Sequence, residues 1–161
     1  MRVLVVVVMA TAQKGSGGTE SLITVSTEGV NRATASEADF TTTKYSPLKV
    51  NTDITIRKGG RIGVGMVVKN HNGRVIEQRW MRMCGPVGTT RGEAAAVKAA
   101  MEQVEAEHVK FYTDCNEIMS VIPGDISLPV DEFEYVTLES IPREKNLHAD
   151  LLADKAVSGS C

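Results

Sequence analysis

The sequence predicts a mixed α/β domain in which helices pack on a five-stranded sheet, in the order βββαβαβα. Three observations carry this. Two glycine-bearing turns, Lys58-Gly59-Gly60 and His71-Asn72-Gly73, separate three apolar segments, the signature of an antiparallel meander. Helical and strand periods then alternate, as in βαβ crossovers. Finally, 161 residues with 42% hydrophobic and 24% charged side chains suit one soluble globular domain with an extension and exclude a collagenous or wholly disordered chain.

Residues 1–47 are rich in Ser, Thr and Gly and show no sustained period after Ala12, so 13–46 reads as linker and 1–47 as a leader, poorly ordered or unrelated to the fold. The apolar run Val3 to Ala10 is eight residues long, far short of the roughly 20 a spanning helix needs. With Ala10-Thr11-Ala12 it mimics a short signal peptide, but the single Arg before it and the widely spaced, odd cysteines (Cys84, Cys115, Cys161) favour free thiols and an intracellular protein.

The domain is expected over 48–158. Leu48, Val50, Thr52, Ile54 and Ile56 alternate with polar residues, a strand that buries one face and sets Asp53 on the other. Segments 62–69 and 74–83 complete the meander. Thr90-Arg91-Gly92-Glu93 has capping-box spacing ahead of an Ala/Glu-rich helix with Val97, Met101 and Val104 along one face. A strand over 109–113, a short helix over 115–121, a Pro/Gly loop over 123–131 and a strand over 133–141 follow. The closing helix starts near Asn146.

Charge is segregated. Residues 54–92 hold eight Lys/Arg against Glu77, a net of +7, while 93–142 hold eleven Asp/Glu against Lys98 and Lys110, a net of −9, within a formal total of −2. The basic stretch is either a polyanion-facing surface or a sheet edge guarded by cations.

Four acids fall at strand ends or helix starts: Asp53, Glu93, Asp114 and Asp150. Each has a purely structural explanation, as a solvated strand residue, a capping-box partner, an N-cap and a helix-dipole acid respectively. Their order and flanks say more. Lys49-Val50-Asn51-Thr52-Asp53 before GVGMVVKNHNGRV, then Arg91-Gly92-Glu93, Tyr112-Thr113-Asp114 and PREKNLHADLLA (142–153), resemble the ribonuclease H type 1 family, most closely its reverse-transcriptase-like branch of plants and retroelements. The resemblance covers about 48–158 and implies a mixed five-stranded ribonuclease H-like sheet, hydrolysis of the RNA strand of RNA/DNA hybrids, and two Mg²⁺ or Mn²⁺ ions. It assigns Asp53 to bridging both ions, Glu93 and Asp114 mainly to one, and Asp150 to the other. Hard carboxylate ligands suit such cations, which in turn relieve the repulsion between the acids.

For the substrate, the reading assigns Arg57, Lys58, Arg61, Arg91 and Asn146 to nucleic-acid contact, with Asn146 also the N-cap of the closing helix. A monomer is expected. His71, His108 and His148 read as surface histidines. The chain departs from the family at Ile54, where many relatives have glycine, at Ser140, where a histidine often stands, and at Cys115, where serine is usual. The first two departures imply slower hydrolysis, and they motivate the alternative of a degenerate retroelement-derived domain that binds nucleic acid with little or no turnover.

Overall fold

The computed structural model describes residues 24–32, 35–84, 88–118 and 128–158. The run from Val3 to Ala10, Cys161, residues 119–121 of the expected helix over 115–121 and residues 123–127 of the expected loop over 123–131 lie outside the described residues.

The strands are β1 (Thr24–Asn31), β2 (Leu48–Arg57), β3 (Arg61–Lys69), β4 (Val75–Cys84), β5 (His108–Thr113) and β6 (Tyr135–Ser140), and the helices are α1 (Thr89–Gln103) and α2 (Leu147–Ser158). They form one mixed sheet in the order β1-β4-β3-β2-β5-β6. β2, β3 and β4 are the expected meander; Gly59, Gly60 and Gly73 take φ of 85°, 75° and 84° in its turns, a region open to glycine and costly for other residues. β5 and β6 then add in parallel to β2.

The sheet has six strands, one more than expected. The sixth, β1, comes from the segment read as linker and pairs antiparallel with β4 at the sheet edge. Its sequence, TVSTEGVN, lacks the period-2 pattern by which a half-buried strand is recognised. The stretch after it is also tied down. Arg32 Nε donates to the buried Glu77 at 2.8 Å and its guanidinium lies 5.4 Å from the Phe40 ring centroid, while Ala35 and Phe40 pack on the core.

Both faces of the sheet are covered. On β3, Val64, Met66 and Val68 join the larger core with Ala94, Val97, Ala100 and Met101 of α1, whereas Val67 packs with Ala149 and Leu152 of α2. β2 is therefore buried on both sides, with Asn51, Thr52 and Asp53 at 6%, 0% and 5% exposure, where the alternation had suggested one wet face. Asn51 and Thr55, on the second face, hydrogen-bond to Asn146 and to Asp154 of α2.

α2 sits unusually close to β3 because Gly63 and Gly65 have no Cβ. A Cβ at Gly65 would stand 1.9 Å from the Ala149 carbonyl oxygen, and one at Gly63 would stand 2.1 Å from that of Ala153. Both obstacles are helix backbone, so a side chain forces the whole helix outward. Gly65→Ala is expected to cost more than about 2 kcal/mol, an overpacking penalty read by urea denaturation. An unchanged midpoint would show that α2 can shift freely.

Candidate active site

Asp53 and Asp114 meet because β2 and β5 run parallel. The last paired positions are Asn51 and Tyr112, and each acid stands two residues further along the chain, Asp53 still within β2 and Asp114 just past the end of β5. Carboxyl ends of adjacent parallel strands, at a switch in sheet order, are where open α/β sheets bind ligands. Glu93 reaches the same point from the second turn of α1, and Asp150 from the first turn of α2. Carboxylate oxygens of Asp53, Glu93 and Asp114 all lie within 4.8 Å of one another. Asp150 completes the wall of a cavity of about 270 Å³ that those three share with Ile54, Ile56, Thr89 and Arg143.

The capping box does not form. α1 starts at Thr89 with Gly88 as N-cap, which moves Glu93 beyond the capping position and turns it into the cluster at 3% exposure. Its neighbour Gly92 makes room for Ile54, since a Cβ there would stand 2.7 Å from the Ile54 Cδ1. The bulk that replaces glycine after Asp53 is thus taken up against α1.

The electrostatics are those of acids crowded together. Burial, with a hydrogen bond to Asp53 and the charges of Asp53 and Asp114, raises Glu93 to about 10. Burial raises Asp53 to about 6, opposed by the hydrogen bond from Glu93 and the Ile54 N–H, which donates to Asp53 Oδ1 at 2.8 Å. Asp114 is also raised, chiefly by burial and against the pull of Arg143. Both shifts are upward, so the Asp53–Glu93 pair favours retaining a proton above the ordinary carboxylate range. Its other oxygen, Oε2, is buried with no hydrogen-bond partner, an atom that a hard cation would satisfy. The all-oxygen donor set fits Mg²⁺ or Mn²⁺.

Asn146 is placed differently from expectation. It is 1% exposed, its Nδ2 donates to the Thr52 carbonyl at 2.9 Å, and its Oδ1 accepts from Asn51 Nδ2 at 3.0 Å. Its backbone carbonyl accepts the Asp150 N–H, as an N-cap's does, but its side chain fastens the start of α2 to β2 and favours the charged form of Asp114. Asn146→Ala strands a buried donor on Asn51 and is expected to cost about 2 kcal/mol in urea melts. A loss of a few tenths would contradict that role.

The basic stretch is largely consumed by the fold. Arg79 donates to Glu77 and to Gln103, Arg82 Nε to the Ala156 carbonyl, and Arg57 pairs with Asp154 at 3.3 Å. Arg91 is half-buried on α1, while Lys58 and Arg61 stand exposed at the β2–β3 turn. Of the histidines, His71 is exposed, and His148 faces Gln78 at 2.9 Å, away from the acids. His108 is not a surface residue at a helix end: it opens β5, 13% exposed, 3.3 Å from Glu134. With Glu107 these two form a second group of potential ligands, at the end of β5 remote from Asp114. Sequence reasoning missed Thr89 and Arg143 as cavity residues; only the position of Arg143 inside PREKNLHADLLA hinted at the latter.

No protein-family model matches the chain, and no curated protein matches it in sequence. Among solved structures, ribonuclease H1 from the halophilic archaeon Halobacterium salinarum NRC-1 superposes with a TM-score of 0.61 at 18% identity, over 71% of this chain and 99% of that one. The fold is ribonuclease H-like. LC11-RNase H1, solved in complex with an RNA/DNA hybrid, superposes with a TM-score of 0.52 at 19% identity, over 68% of this chain and 96% of that one. Within the ribonuclease H-like fold of this chain, the four acids come from four separate elements, β2, α1, α2 and the residue after β5, so only the folded sheet assembles them. No helix among the described residues is long and apolar enough to cross a membrane.

Proposed function

We propose that the chain is a divalent-cation-dependent ribonuclease H-like hydrolase that cuts the RNA strand of RNA/DNA hybrids, with 48–158 as the unit carrying the activity. The observation that carries this reading is the convergence of Asp53, Glu93 and Asp114 within 4.8 Å, with a buried, unpartnered Glu93 oxygen. The likeness to a ribonuclease H1 solved with a hybrid supports the substrate class.

Asp53, Glu93 and Asp114 would hold one or two ions, with Asp150 contributing from the cavity wall. Bound there, divalent cations supply charge stabilisation at the phosphodiester and a water of lowered pKa. The chain's own part is to orient and to move protons. Ile54 and Ile56 give the cavity an apolar wall beside the acids. A proton retained by the Asp53–Glu93 pair must leave before both carboxylates can act as ligands, so binding would release protons. Asn146 fixes the start of α2 and with it Asp150. Lys58 and Arg61, exposed at the β2–β3 turn, would meet backbone phosphates, which would make affinity salt-dependent.

The test is a hybrid carrying a labelled RNA strand, incubated with the full chain in Mg²⁺ or Mn²⁺. Cleavage that stops on adding a chelator is expected. Salt-sensitive hybrid binding without turnover in either metal would instead favour the non-cleaving domain, a reading motivated by Ser140, whose hydroxyl turns to Asn116.

A further inference from the structure

We infer that Arg143 is the side chain that grips the nucleic-acid phosphate entering the acid cavity; this rests on the hydrolase reading above. Four of the eight residues lining the cavity are acids, Ile54 and Ile56 are apolar, and Thr89 offers one hydroxyl. Among the described residues that line the cavity, Arg143 alone has a side-chain N–H donor and a positive charge. A phosphodiester brought against four carboxylates meets repulsion, and a guanidinium offers it two parallel N–H donors in a planar fork.

The backbone holds Arg143 in place. It opens a short 3-10 turn, Arg143–Lys145, between β6 and α2. On one side the Ile141 N–H bonds the Thr113 carbonyl at 2.8 Å, anchoring the turn to the end of β5 beside Asp114. On the other side the buried Asn146 is fastened to Thr52 and Asn51. The side chain itself extends from an exposed residue, unlike Arg79 and Arg82, which the fold has engaged. Its charge reaches Asp114, so it lies within the field of the cluster. Ser140, two residues before Pro142, is not among the cavity's lining residues. Arg143 thus provides the positive charge that this end of the site otherwise lacks. It is a substrate-binding residue, acting on the phosphate directly.

The experiment compares Arg143→Ala and Arg143→Lys, each in the full chain. Equilibrium binding of a short RNA/DNA hybrid is measured in the Asp53→Asn background without divalent cations, across a salt series; that background removes one repelling carboxylate and prevents cutting. Arg143→Ala is expected to weaken binding by about tenfold or more and to flatten the log–log salt slope by about 0.9, the share of one phosphate contact. Arg143→Lys is expected to keep the slope and recover only part of the affinity, since the fork is lost. In the otherwise native enzyme, Arg143→Ala should raise KM for the hybrid more than it lowers kcat.

If Arg143 merely neutralises the empty cluster, Arg143→Ala lowers the metal-free Tm and leaves hybrid affinity and salt slope unchanged, which overturns the inference. If the unmodified chain cleaves hybrid and the variant binds as tightly as its parent, this inference alone falls. If the unmodified chain neither binds nor cleaves, the hydrolase reading falls and takes this one with it.

Discussion

Asp53→Asn is expected to reduce divalent-dependent hybrid cleavage by more than about a hundredfold, the upper range for losing a ligand's supporting partner and a lower bound for losing the ligand itself. The same substitution is expected to raise the Tm of the metal-free protein. The two effects have one cause. Asp53 is 5% exposed, and its charge helps to push Glu93 up to about 10. An asparagine of the same shape keeps the acceptor for the Ile54 N–H, which now bonds Asp53 Oδ1 at 2.8 Å, and removes the charge. Repulsion in the empty site falls, and with it the site's ability to hold cations. Activity down with stability up is a combination that misfolding does not produce. Cleavage assays and metal-free melts read the two arms. Were Asp53 an ordinary strand residue, neither would change, and cleavage that survives would point to a contaminating nuclease.

The metal-free protein is expected to lose stability as pH rises, and divalent cations to restore it. Asp53 and Glu93 have ordinary values of 3.8 and 4.5 and are raised in the fold to about 6 and about 10. Between the ordinary and raised values the native state binds more protons than the unfolded chain, so its stability falls with rising pH. The contribution is fully present below the ordinary values and lost as pH climbs through the raised ones. Added Mg²⁺ or Mn²⁺ competes with those protons, so the Tm gain it confers should grow from about pH 6 toward about pH 10. Melts with and without metal across that window check the sign. In Asp53→Asn the metal-free pH slope should be shallower and the metal-induced gain small. A metal effect independent of pH would mean that the ions bind elsewhere.

Much of the fold was legible because local signals and tertiary demands agree. The turns at Gly59-Gly60 and Gly73 need positive φ, and the apolar runs between them pair as an antiparallel meander. Other features had no local signature. β1 is a polar edge strand whose pairing depends on β4 rather than on its own pattern. The burial of Asn51 and Asp53 depends on α2 covering the second face of β2, and α2 approaches only because Gly63 and Gly65 lack side chains. Those two glycines read locally as parts of a strand.

The four acids were legible as a set through their flanking motifs, while their convergence depends on the parallel register of β2 and β5. Thr90 and Glu93 illustrate the limit. Their spacing is that of a capping box, yet the helix starts two residues earlier, with Gly88 as N-cap, and Glu93 turns into the cluster, because a local hydrogen bond competes there with a buried network. Asn146 reads in sequence as a cap and a substrate contact, and the burial that lets its side chain also fasten the start of α2 to β2 has no local signature. Basic residues such as Arg79 and Arg82 look available in sequence and are engaged by partners far along the chain.

The most direct test is diffraction from crystals grown with Mn²⁺, using its anomalous signal to locate the ion. The account predicts a peak coordinated by Asp53 together with Glu93 or Asp114. Ordered crystals with Mn²⁺ bound only outside that cavity, or not at all, would contradict it.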